Sequence, residues 1–283
     1  MKVLTYLSVL VSFLTLFTFA EKAPNFVLVY MDDLGWAETS VPMIKGCEDT
    51  RSDFNRTPNV ERLAREGMVL SACYSPSALC APSRNSLLHG MTPSRLRYTV
   101  LSAVEARKQY LGQITIPQAL KKANSDYQTA HFGKWHVGMT SGKRKKPSLQ
   151  DHGFDYWFGL SNGANPSHRN PTNFMRNGKR VGPLKGYSCQ LIVDDAIRWL
   201  DERKNPDQPF FLNLWFNEPH AKLAAPDEIT SIYGDLKDEA AIYSATVDNT
   251  DRAIGRLVAK LKETGKLDNT FIIYSSDHGS YRA

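Results

Sequence analysis

Cysteine is scarce in this 283-residue chain: there are 4, and no two stand in a CxxC spacing. That excludes a small disulfide-built scaffold and leaves no thiolate cage for zinc. Glycine (18) and proline (15) are too few for a collagen-like or low-complexity chain. There is no internal repeat and no Gly/Ser linker, so one continuous domain is the economical reading. A strong charge of either sign is also missing. The net charge of +6 is spread over both halves of the chain, and no nucleic-acid partner follows from it. Beyond residue 20 no apolar run is long enough to span a bilayer, so no stable membrane insertion is expected. What is present is a 42% hydrophobic content, ample for the core of a large α/β domain.

Residues 1–20 read as a signal peptide. Lys2 supplies the positive start, residues 3–19 are uncharged and apolar-rich, and Thr18-Phe19-Ala20 offers small residues for cleavage. A membrane anchor is the rival reading, because the run lies at the lower edge of a spanning length; its Ser and Thr content favours cleavage. Residues 21–283 then form the mature domain, with Cys47, Cys73, Cys80 and Cys189 in an oxidising setting: secreted, or in a secretory, periplasmic or lysosomal compartment.

Short apolar runs predict strands at residues 25–31, 68–74, 127–132, 209–216 and 270–275. Helices are predicted between them: from Pro58 to Arg65, with Thr57 as cap and Gly67 as stop, and over residues 191–200 and 239–264. Such alternation implies an α/β fold whose mostly parallel sheet is covered on both faces. Asn177-Gly178 between two short extended runs signals a hairpin at the rim, and the basic run 143–146 reads as a solvated loop.

In open α/β sheets ligands sit beyond the carboxyl ends of the strands. Four predicted strands run there into polar groups: Asp32-Asp33, Gly133-Lys134-Trp135-His136, Glu218-Pro219-His220 and Asp277-His278-Gly279. Each taken alone has a structural explanation, such as a helix cap or a surface histidine. Together they describe a site. The carboxylates of Asp32, Asp33 and Asp277 suit Ca2+ or Mg2+ better than a soft metal, with zinc as the competing assignment and His278 as a nitrogen ligand or hydrogen-bond donor. Cys80 falls at or just before a helix N-terminus set by Pro82, where backbone N–H groups favour an anion. Arg84 follows one turn later.

Cys80, Pro82, Ser83 and Arg84 match C-x-P-S-R, and this segment resembles the sulfatase family, whose signature that is. Residues 25–35, Thr57-Pro58-Asn59, Gly133 to His136, Gly153-Phe154-Asp155, Pro219-His220 and Ser276 to Gly279 appear in family order, so the resemblance covers essentially the whole mature chain. It implies the α/β/α sandwich of the alkaline-phosphatase superfamily. It further implies that a formylglycine-generating enzyme oxidises Cys80 to formylglycine, whose hydrate attacks the sulfur of a sulfate ester and then ejects sulfate. By the same resemblance Asp32, Asp33, Asp277 and His278, with the residue formed from Cys80, hold a divalent metal, calcium by family habit. Arg84 would hold the hydrate and Lys134 would clamp sulfate charge. His136 would accept the hydrate's second proton, and His220 would contact sulfate or protonate the leaving alcohol. The implied substrate is a sulfated small molecule or carbohydrate.

Two departures from the family pattern stand out. Leu88-His89-Gly90-Met91 replaces the usual Leu-Thr-Gly-Arg, and the chain ends at Ala283, before the further lysine, strands and C-terminal subdomain found in family members. The resemblance therefore implies an open sheet edge and weak or absent turnover from this chain alone. A phosphoester hydrolase of the same superfamily and a non-catalytic secreted binding module are the alternatives. An enzyme using Cys80 as a free thiol lacks a CxxC partner. Residues 162–185, including His168 and Arg169, are expected to line a specificity rim, and Asn55-Arg56-Thr57 matches a glycosylation acceptor. With Cys80 converted, Cys47, Cys73 and Cys189 allow at most one internal disulfide.

Overall fold

The computed structural model describes residues 22–101, 113–137, 148–236 and 238–280. The expected signal peptide and the basic run at 143–146 lie outside the described residues. Among the described residues seven strands form one sheet: β1 (Asn25–Asp32), β2 (Gln128–Lys134), β3 (Tyr156–Leu160), β4 (Met175–Arg176), β5 (Lys179–Arg180), β6 (Phe210–Pro219) and β7 (Thr270–Ser276). Their order is β5-β4-β3-β2-β6-β1-β7. The run from β3 to β7 is parallel, and β4 and β5 are added as an antiparallel hairpin.

Among the described residues seven α-helices accompany the sheet: α1 (Pro58–Glu66), α2 (Cys80–His89), α3 (Pro93–Leu96), α4 (Ile116–Ala123), α5 (Ser188–Glu202), α6 (Asp227–Thr230) and α7 (Asp238–Glu263). β1 shows why its sequence is apolar without alternation. Val27, Val29 and Met31 enter the core formed with α1, α5 and α7, while Leu28 and Tyr30 pack on the opposite face with Leu88 of α2 and with Ile116 and Leu120 of α4. A parallel strand buried on both sides needs apolar residues at every position. The result is the expected α/β/α sandwich.

Three local devices fix the helices and strands that reach the site. Thr115 and Gln118 form a reciprocal capping box at the start of α4. The carboxylate of Asp251, on α7, accepts the main-chain N–H groups of Asn59 at 3.0 Å and Val60 at 2.9 Å, so one helix caps another. Gly133 lies in β2 with φ +100°, and a Cβ there would come within 1.9 Å of the Trp215 carbonyl oxygen of β6. Only glycine permits that approach.

Four of the five strands predicted from apolar runs form within three residues of their expected bounds, as do the long helices α5 and α7. The strand expected at 68–74 does not form. No neighbouring strand pairs with it among the described residues, and its apolar side chains lie in solvent, with Met68 82% and Tyr74 87% exposed. β3 was missed, because its five residues are shorter than the apolar runs used to find the others. The Asn177-Gly178 turn does make a hairpin, which extends the sheet beside β3. At the other edge, β7 pairs with β1 alone among the described strands, and Phe271 and Ile273 face outward. None of the four cysteines is paired.

Candidate active site

The carboxyl ends of β1, β2, β6 and β7 meet the N-terminus of α2. β1 ends in Asp32 and Asp33, both buried; Asp33 adopts φ 63°, a left-handed conformation that Asp tolerates better than most residues and that ends the strand. β7 runs parallel to β1 with Met31 opposite Ser276, and the next residue, Asp277, continues the pairing by donating its N–H to the Met31 carbonyl at 3.1 Å. The N–H of Asp33 in turn donates to Asp277 Oδ1 at 3.2 Å. These bonds hold the three carboxylates together.

Two cations answer them. Lys134, the last residue of β2, places Nζ 2.8 Å and 2.7 Å from the two oxygens of Asp32. Arg84, one turn into α2, donates from Nη2 to Asp32 Oδ1 at 2.9 Å and from Nε to Asp277 Oδ2 at 3.1 Å. Its guanidinium lies over the rings of Trp215 and Tyr30, at 5.2 Å and 5.5 Å, so water is replaced by aromatic faces. Tyr30 and Ser83 share a hydrogen bond of 2.9 Å, and Ser83 Oγ donates to the Asp277 carbonyl at 2.5 Å.

Cys80 is the first residue of α2 and is buried. Its Sγ lies 3.2 Å from His278 Nε2 and 3.9 Å from Asp33 Oδ1. His278 Nε2 is 3.2 Å from that same Asp33 oxygen. Cys80 forms two tight groups, one with Asp33 and His278 and one with Asp32 and Asp277, whose ligand atoms lie within 4.8 Å of one another. Every residue expected to hold a metal is therefore in one place. His220 is more open, 30% exposed, with Nε2 3.6 Å from Asp33 Oδ2. His136, at φ 53° just beyond β2, has a buried Nδ1 with no hydrogen-bond partner among the described residues.

The electrostatics fit a bound cation. Burial works against ionising Asp32, yet Lys134 and Arg84 hold its carboxyl below the usual range. Asp33 is pushed up by burial and by the charge of Asp32. Asp277 is pushed up to about 6, by burial first and Asp32 next, even with Arg84 beside it. Three carboxylates facing two protein cations leave a buried excess of negative charge, all of it on hard oxygen donors, which a divalent cation would neutralise. Burial pushes the Cys80 thiol up to about 12, and burial together with Lys134 and Arg84 brings His136 down to about 3.

Two sequence expectations are corrected here. His168, expected on the rim, is 1% exposed and lies under the β6 end, whereas its neighbour Arg169 is exposed. Asn55 is buried and its side-chain N–H donates to the Glu38 carbonyl at 2.8 Å, which closes that amide to a glycan on the folded chain. Arg84 reaches the site as expected, but through Asp32, Asp277 and the Lys134 carbonyl. Sequence reading missed Glu218 as a structural anchor: both its oxygens accept hydrogen bonds, from Cys189 N–H at 2.9 Å and from Asn217 N–H at 3.0 Å. Its only sequence signal was its place between a strand and the Pro219-His220 pair.

A mostly parallel sheet between helical layers, with a buried carboxylate cluster at its carboxyl edge and a cysteine at a helix N-terminus, defines a protein of the alkaline-phosphatase-like class. The family model described as Sulfatase matches residues 24–282, and the chain belongs to that family. It is 29% identical over 299 residues to the uncharacterized sulfatase YdeN of Escherichia coli, covering 91% of this chain and 52% of that protein. It is 31% identical over 288 residues to N-acetylgalactosamine-6-sulfatase of Mus musculus, covering 92% and 51%. Among solved structures, Ps i-CgsB in complex with k-i-k-neocarrahexaose aligns with a TM-score of 0.76 at 26% identity, covering 92% of this chain and 61% of that one. The chain thus spans about half the length of these curated relatives. No helix among the described residues is long and apolar enough to cross a membrane.

Proposed function

We propose that residues 21–283 are the metal-assisted catalytic portion of a secreted sulfatase, hydrolysing sulfate esters of carbohydrates, and that residues 1–20 are its signal peptide. The observation that carries this reading is the convergence of Cys80 with Asp32, Asp33, Asp277 and His278 at the N-terminus of α2. Family membership supports the reaction. The substrate class is supported by the name of the mouse relative and by the oligosaccharide in the Ps i-CgsB complex.

In this reading Cys80 Sγ marks the position of the reactive group of formylglycine, made by a formylglycine-generating enzyme. That group supplies a hydrated aldehyde as nucleophile. Asp32, Asp33, Asp277 and His278 would hold a divalent cation, calcium or magnesium, which would supply Lewis-acid activation of the nucleophile and charge neutralisation beside the sulfate. Arg84 keeps Asp32 and Asp277 ionised and in place. Lys134 presents an ammonium, already desolvated, beside the position of the sulfate group. His136 lies beyond β2 with a buried Nδ1 that has no hydrogen-bond partner among the described residues, and it is the group assigned to accept the hydrate's proton; burial, Lys134 and Arg84 keep its imidazole neutral and oppose that protonation until charge in the site changes. His220, the most accessible of the set, faces the leaving alcohol.

The unmodified thiol suits no such role, because a pKa near 12 leaves it protonated at neutral pH. The test is release of sulfate from N-acetylgalactosamine 6-sulfate by the purified chain, with the matching phosphate ester as comparator. Selective sulfate release that Cys80→Ala abolishes supports the reading. Preference for the phosphate ester makes the protein a phosphoester hydrolase, and binding of the sulfated sugar by a chain whose Cys80 stays unconverted makes it a binding module.

A further inference from the structure

One buried imidazole outside the Cys80 cluster reaches the same edge of the sheet. His168, in the loop before α5, has Nε2 2.6 Å from the main-chain oxygen of His220, and its main-chain N–H donates to the Lys222 carbonyl at 3.2 Å. A carbonyl only accepts, so Nε2 carries the proton. Nδ1 faces Ser188 Oγ at 3.1 Å and Glu218 Oε1 at 3.5 Å. Ser188 Oγ itself donates to Glu218, whose carboxylate also receives the N–H groups of Cys189 and Asn217. The start of α5 and the end of β6 are thereby tied to one imidazole.

His168 thus grips the chain on both sides of Ala221, with its imidazole at the His220 carbonyl and its main-chain N–H at the Lys222 carbonyl, and the Ala221 carbonyl is what orients the ring of His220: Nδ1 of His220 donates to it at 2.7 Å. With Nδ1 so occupied, Nε2 is the nitrogen left to face Asp33 and the site. We propose that His168, locked by Ser188 and Glu218, is a positioning residue that fixes the tautomer and direction of His220. The proposal rests on the reading that His220 serves the sulfate-ester reaction, but its test reads the two rings directly.

The experiment uses the whole chain with 15N-labelled histidine and long-range 1H–15N spectra, with resonances assigned through His168→Gln and His220→Gln. The expected wild-type result is a proton on Nε2 of His168 and on Nδ1 of His220. His168→Ala should mix the two tautomers of His220 and weaken binding of inorganic sulfate by roughly tenfold, the effect of losing one hydrogen-bonding arrangement. His168→Gln, whose carboxamide keeps an N–H for the His220 carbonyl, should restore both readouts. A bare Nε2 on wild-type His168 overturns the proposal, and so does an unchanged His220 signature in a folded His168→Ala chain. Should that variant fail to fold, Ser188→Ala decides: it keeps the imidazole but removes its anchor, and an unaltered His220 tautomer overturns the proposal. Coupled tautomers in a chain with no sulfatase activity uphold the positioning role while refuting the assigned reaction.

Discussion

Arg84 Nη2 lies 2.9 Å from Asp32 Oδ1 and 2.9 Å from Asp277 Oδ2, and all three side chains are fully buried. One guanidinium therefore joins the ends of β1 and β7 and balances charge that no water reaches. Removing it while leaving the carboxylates is costly, because buried charges then lack their partner. Arg84→Met should lower unfolding free energy by about 3–5 kcal/mol, read by urea denaturation. Arg84→Lys keeps the charge and loses the fork, so it should fall between the two. A loss below about 1 kcal/mol in Arg84→Met would contradict the role given to this pair.

Metal binding should be visible in stability as well as in activity. Calcium present at a hundredfold excess over its Kd should stabilise the folded chain by about 2.7 kcal/mol, and a chelator should reverse this. Asp277→Asn and His278→Ala each remove a ligand and should abolish most of the calcium-dependent rise in Tm. An equal rise in those variants would place the ion elsewhere.

The close approach of β2 and β6 gives a backbone prediction. A Cβ at Gly133 meets the Trp215 carbonyl at 1.9 Å in a strand position with positive φ. Gly133→Ala should cost about 3 kcal/mol and displace Lys134, the next residue, from Asp32. The combined signature is a lower urea midpoint with disproportionate loss of sulfate binding. Wild-type stability in this variant would refute the packing described.

His131 supplies one share of the pH dependence, alongside His136 and His152, which burial also holds low. It is enclosed by Trp135, Phe154 and Trp215, with Nδ1 accepting from Asn213 Nδ2 at 2.9 Å. Burial first, and then Arg84, brings its pKa down to about 3 from an ordinary value of 6.5. The unfolded chain then binds a proton that the folded chain refuses. Its contribution is intact above pH 6.5 and is lost as pH falls toward 3. Over that window one such proton makes stability fall by about 1.4 kcal/mol per pH unit. His131→Gln keeps an acceptor for Asn213 and cannot titrate, so its stability should fall less steeply by that amount. Identical slopes would exclude a contribution from His131.

Local signals in the sequence located most of the site, because strands buried on both faces announce themselves as apolar runs and the chemistry follows directly at their ends. Asp32, Lys134, His220 and Asp277 were legible on that ground. Contacts between distant segments left no such trace. The cap that Asp251 places on α1 joins residues 192 apart, and no local pattern distinguishes that aspartate from its neighbours on α7. His168 looked like a loop residue because its partners, Ser188, Glu218 and the His220 carbonyl, come together only in the fold. α2 was legible by its signature and not by its pattern: every residue but Leu87 is buried, polar ones included, since both its faces are occupied by core and site. At 68–74 the composition is that of a strand, but a strand exists only where another supplies its hydrogen bonds.

The chemistry assigned to this site depends most directly on the state of Cys80, and tryptic mass spectrometry of the chain recovered from a secretory host with its modifying enzyme reads that state. Formylglycine or its hydrate in the peptide carrying Cys80 is the expected result, joining the cluster of Asp32, Asp33, Asp277 and His278 to a sulfatase nucleophile. A wholly unmodified thiol, which burial keeps protonated, would contradict it and bring the non-catalytic binding module to the front.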